Sequence, residues 1–166
     1  MPPTTSEIVD YLASVHTRTR RVVLCIPSND LEWSPAPGRF TFGDIVRHLA
    51  TIERYMYAET VQGKPSRYAG CGRDLADGLP AVLELYEGLH DESRAIFAGL
   101  SSDQLLAKCL TPAGTPITTW KWLRAMFEHE AHHRGQLYEM LGVRGVPTPP
   151  LYGLTSEELI ARAART

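Results

Sequence analysis

The stretch FEHEAHHRGQ, residues 127–136, places three of the chain's six histidines inside five positions. Read as a helix, in which each residue advances about 100°, it sorts them by direction. With His129 as origin, His133 lies about 40° round, and Trp122, Met126, Gln136 and Met140 fall within about 60°. The apolar members turn this face toward a core. Histidines at i and i+4 hold their Cβ atoms about 5–6 Å apart, so both imidazoles can reach one ion. His132 falls about 60° to the other side, and Glu130 about 100° away. Read literally, His129-Glu130-Ala131-His132-His133 also satisfies H-E-x-x-H, the zinc-peptidase pattern.

Working outward, four long segments carry helical periodicity between Pro/Gly-rich connections. The fourth, about Thr118 to Leu141, holds the histidines and stops at Gly142. The first runs from about Thr5 to Ile26 before Pro27, with Thr4 and Glu7 spaced as a capping box. The second follows Thr41 and continues to about Gln62, with Ile45, His48, Ile52, Tyr55 and Glu59 on one face. The third runs from Leu79 to about Leu100. A turn with hairpin character, CLTPAGTPI, precedes the fourth, and a short closing helix starts near Ser156. With no convincing pairing of longer strands, the pattern predicts an all-α, up-down four-helix bundle in one domain over 1–166. The long loops after the first two helices are of the kind that shape a binding surface.

Two imidazoles are too few for tight metal binding, because catalytic sites keep three protein ligands and an open position. His48, inside the apolar stripe of the second helix, is the best third ligand. Three inward histidines on two helices are more economically explained by a shared ion than by separate desolvated rings. The bland reading, core histidines bonded to neighbours, remains open at this point. His16 and His90 flank their stripes and are expected at the surface or its boundary. A peptidase would need Glu130 as general base and a third ligand downstream, and no histidine follows His133. Glu130 is therefore expected to support the histidines as an acceptor or to pair with a surface cation. Trp122, Met126, Tyr55 and Met140 are candidates to line an apolar pocket.

The composition narrows the classes further. A net charge of −2 and a pI near 6.3 argue against a broad electrostatic grip on nucleic acid. No apolar run approaches the roughly 18 residues of a membrane span, and the N-terminus lacks a basic region before an apolar core. Three scattered cysteines without C-x-x-C suit reduced thiols. A cytoplasmic protein is the expectation.

LEWSPAPGRFTFGDIVRHLATIERY, residues 31–55, and FEHEAHHRGQLYEMLGVRGVP, residues 127–147, resemble two signatures of the DinB-like superfamily. These are a Trp/Pro loop leading into a histidine-bearing second helix, and H-x-x-x-H-R-G-Q with a Gly/Pro exit. The resemblance implies His48, His129 and His133 as an open metal triad, with zinc or nickel bound and His132 a neighbour. It also implies frequent homodimers. In thiol-dependent S-transferases of the group, a low-molecular-weight thiol would serve as co-substrate. Water in its place would make a hydrolase, and a non-catalytic, stress-response bundle with a structural or sensory metal is the competing class. Gly135, costing about 1 kcal/mol against Ala in a helix, is expected to permit close approach of a neighbouring helix or chain. Gln136, on the ligand face, is expected to orient a ligand or the metal-bound water.

Overall fold

The computed structural model describes residues 2–165. Helix α1 spans Thr5–Val23, with Thr4 and Glu7 capping reciprocally. It ends short of Ile26 because the Cys25 and Ile26 amides bond three residues back, to Val22 and Val23. That tightening suits the approach to Pro27, whose ring disfavours the α conformation in the residue before it. α2, Phe42–Ile52, starts on a Thr41–Asp44 capping box. It runs through a π-turn, Glu53–Tyr57, into α3, Ala58–Thr60. The second helix is thus continuous, but the wider turn shifts its phase. In consequence Tyr57 is buried in the core, while Tyr55 is only partly covered.

α4 covers Leu79–Ala98, with Pro80 in its first turn. A short helix α5, Ser102–Leu106, follows, and periodicity over so few residues is not visible. The hairpin forms from β1, Lys108–Leu110, and β2, Pro116–Thr118, with Cys109 opposite Ile117. α6 spans Thr119–Val143 and α7 Ser156–Ala163. Among the described residues no helix is long and apolar enough to cross a membrane.

The four-helix bundle forms from α1, α2–α3, α4 and α6, and cross-helix pairs set its directions. Tyr11 meets Phe127 and Thr19 meets Arg134, so α1 and α6 run together. The Thr5 hydroxyl donates to the Leu100 carbonyl while His16 meets Glu87, so α4 opposes α1. Tyr57 meets Trp122 while His48 meets His129, so α2–α3 opposes α6. The expected four-helix bundle is there, but α2 and α4 point the same way, so its helices do not alternate in the simple up-down order expected, and residues 61–78 must return the chain to the starting end. They do so along α2. The Arg67 amide donates to the Tyr55 carbonyl, the Thr51 hydroxyl to Gly70, and the buried Arg47 guanidinium to Ala76.

Apolar side chains gather in two clusters, one around Val22, Phe42, Val82 and Leu141, the other around Leu12, Tyr57, Phe97 and Leu123. Between them lies a layer of buried polar groups that includes His16, Thr19, Glu53, His90 and Glu130. His16 and His90, expected at the surface, belong to this layer. His16 Nε2 lies 3.2 Å from Glu87 Oε2, His90 Nδ1 lies 3.2 Å from Glu53 Oε1, and the rings stack at 3.5 Å. Carboxylate partners are what make such burial tolerable.

Candidate metal centre

α2 supplies His48, and adjacent turns of α6 supply His129 and His133. One ring nitrogen from each comes within 4.8 Å of the others. Nε2 of His129 lies 3.1 Å from Nε2 of His48 and 3.1 Å from Nε2 of His133. The outward nitrogens are held as well. His48 Nδ1 is 2.7 Å from the Tyr68 hydroxyl, and His133 Nδ1 is 2.7 Å from Gln136 Oε1. An amide oxygen only accepts, so His133 Nδ1 carries the hydrogen and its Nε2 presents a lone pair.

His129 Nε2 can take part in one good hydrogen bond, yet it has two nitrogen neighbours at 3.1 Å. A proton serves one contact and leaves the other poor; a single cation serves all three nitrogens. Nitrogens that far apart, each about 2.1 Å from one ion, subtend roughly 95°, within ordinary coordination geometry. Burial, reinforced by the neighbouring rings, lowers the pKa of His48 and of His129 to about 4. Burial also lowers His133, against the hydrogen bond to Gln136. All three are neutral at pH 7, the form that ligates metal.

His132 is exposed beside the group, its ring 5.0 Å from that of His133. Other residues depart from expectation. Glu130 neither supports the histidines nor meets a surface cation. One step past His129 turns it into the bundle interior, where the Tyr86 hydroxyl lies 3.4 Å from its Oε1. Burial, then the charge of Glu53, pushes its carboxyl up to about 7. A peptidase base has no place there. Gly135 is exposed, and outside its own stretch of helix no atom of the described residues lies within 4 Å of where a Cβ would stand, so no other described helix approaches it. Tyr68 is the site residue that sequence reasoning missed. It lies on the irregular return along α2, and an aromatic in KPSRYAGCGR was its single hint. Burial, then Cys71 beside it, pushes its hydroxyl up to about 12.

A cleft of about 690 Å³ reaches the group at His133, the one of the three histidines that lines it. Pro35, Arg39 and Phe40 of the loop before α2 form one wall; His132, His133, Gln136, Glu139 and Met140 of α6 form the other. Of the expected pocket residues only Met140 borders it. Met126 is core, Trp122 donates its Nε1 hydrogen to Thr60, and Tyr55 packs on Arg54 and Arg67. A larger cleft of about 830 Å³, between α1 and the start of α6, contains none of the three histidines. Its size alone gives it no chemistry.

The sequence model of the DinB superfamily matches residues 2–137. An uncharacterized protein, YjoA of Bacillus subtilis (strain 168), is 24% identical over 150 residues, 89% of this chain and 95% of that protein. Among solved structures, a DinB-like protein of Bacillus cereus ATCC 10987 superposes with a TM-score of 0.77 at 17% identity, covering 92% of this chain and 100% of the other. YfiT of Bacillus subtilis, described as a probable metal-dependent hydrolase with an unusual four-helix bundle topology, has a TM-score of 0.69 at 18% identity. That likeness covers 86% of this chain and 89% of YfiT.

Proposed function

The chain belongs to the DinB superfamily, and on that footing we propose that His48, His129 and His133 hold one divalent transition metal that acts on a small molecule. The observation that carries this reading is the convergence of three Nε2 atoms, at 3.1 Å spacings about His129, beside an open cleft. Imidazole donors suit zinc or nickel. Held by three neutral ligands, such an ion keeps its full charge and lowers the pKa of a thiol or water that reaches it.

The chain's own residues do the rest. Tyr68 and Gln136 fix the two outer rings through Nδ1, so that their Nε2 atoms point to one place. Phe40, Ile45 and Met140 give the cleft an apolar wall that keeps bulk water from part of the site. Attack by a thiol makes the protein an S-transferase, and attack by water a hydrolase, the class named for YfiT. No protein nucleophile is required for either.

A second reading has its own support: the triad joins α2 to α6 across 81 residues of sequence, so a metal there would also clamp the bundle. Metal analysis of tag-free protein tests the centre. About one equivalent is expected in the wild type and a small fraction of that in His48→Ala; equal contents would remove His48 and the centre with it. Loaded protein given a cellular thiol and a generic electrophile should form conjugate faster than metal-free protein. Metal that raises stability without accelerating either reaction would favour the clamp.

A further inference from the structure

The cleft that opens at His133 carries one charge of each sign on facing walls. On its α6 wall, His132, Gly135, Gln136, Glu139 and Val143 follow helical spacing, so one stripe of the helix faces the opening. In mid-stripe Gly135 has no side chain, and no other part of the described residues fills the space where one would stand. The helix surface is bare there, immediately beyond His133. The side chain of Arg39 on the loop wall and that of Glu139 on the helix wall make no hydrogen bond or ion pair among the described residues. Pairs across elements form at Arg144 with Asp30 and at Arg54 with Glu92, whereas Arg39 and Glu139, like Arg21, Glu84, Asp91 and Arg94, have no such partner among the described residues. In the cleft a cation and an anion stand on opposite walls, unpaired, above apolar Phe40, Ile45 and Met140.

We propose that this cleft binds a small zwitterionic molecule, its carboxylate toward Arg39, its ammonium toward Glu139, and its body over the bare surface at Gly135. The proposal rests on the metal reading above for the role of the molecule's third group, a thiol or other donor reaching the triad. The volume, about 690 Å³, lies within the range of small-molecule sites. A purely apolar ligand would leave both charges idle. A dianion or dication would meet one charge of the wrong sign.

Three thiols differing only in charge test this: L-cysteine, cysteamine without the carboxylate, and 3-mercaptopropionate without the amine. Two readouts are taken, absorption on the cobalt-loaded protein and amide shifts on the zinc-loaded protein. Thiolate-to-cobalt absorption reports arrival at the triad, and backbone amide shifts at Phe40, Gly135 and Glu139 report occupation of the cleft. L-cysteine should half-saturate the amide shifts at a concentration roughly three- to tenfold below either analogue, as expected for partly solvated ion pairs. Arg39→Ala should remove its advantage over cysteamine, and Glu139→Gln its advantage over 3-mercaptopropionate. Gly135→Leu should weaken all three while leaving metal content unchanged.

Equal half-saturation by the three thiols, or variants that shift all three alike, would overturn the proposal while a thiolate band left the metal reading standing. Absence of cleft amide shifts with L-cysteine would overturn it too. Charge-ordered amide shifts without any thiolate band would uphold the cleft assignment and bring down the thiol-at-metal reading instead.

Discussion

Tyr68 and Gln136 each present an oxygen at 2.7 Å to the Nδ1 of a triad histidine. Such partners typically tune metal affinity by 10- to 100-fold. Tyr68→Phe and Gln136→Leu are each expected to weaken binding by about that much in chelator competition, with the fold intact by circular dichroism. Unchanged affinity in both would show that the rings are held by packing alone. His16 makes a different case. Burial, then the charge of His90, lowers its pKa to about 4, and its Nδ1 is buried without a hydrogen-bond partner. The unfolded chain takes up a proton near pH 6.5 and the folded one does not until about pH 4. Stability is therefore lost as pH falls through that window, by about 3 kcal/mol from this group between pH 7 and 4. His16→Phe should remove that much of the acid slope in urea midpoints, and parallel slopes would contradict the assignment. Helical phase made His48, His129 and His133 legible in the sequence. It said nothing of Tyr68, whose loop has no period, or of the carboxylates that let His16 and His90 go inside.

At the scale of elements, the Thr4 and Thr41 caps and the four long helices follow directly from periodicity and capping pairs. The π-turn does not. A single wider turn at Glu53–Tyr57 leaves local composition unchanged, yet it exchanges Tyr55 for Tyr57 in the core. Only the packing of α2 against its neighbours decides that phase. On α6, Gly135 sits in an exposed helical position with open space beyond it. Gly135→Ala is accordingly expected to stabilise the protein by up to about 1 kcal/mol, read as a higher urea midpoint. A lower midpoint would mean that the position is packed in solution, against a second copy of the chain for instance. A glycine kept where alanine is more stable is readily understood if the space itself is used.

At the scale of the molecule, the direction of the helices was the least legible feature. Amphipathic stripes state that four helices share a core, but they are silent on which neighbours run parallel. Direction is fixed by long-range pairs: Thr19 with Arg134, Thr5 with Leu100, His48 with His129. The return segment along α2 follows from it, and with it the arrival of Tyr68 at His48. The same arrangement has a consequence in time. His48 and His129 stand 81 residues apart, and neither the first helical pair nor the return segment can bring them together before α6 docks. A metal at this centre would then meet its full ligand set only on the native side of the folding barrier. Zinc should lengthen the unfolding half-life by about the factor by which it raises the folding equilibrium constant, while the refolding rate in the same denaturant series stays within about twofold. A refolding limb that accelerates with zinc would instead place the union of α2 and α6 early, and make the ion a guide to folding rather than a lock set at its end.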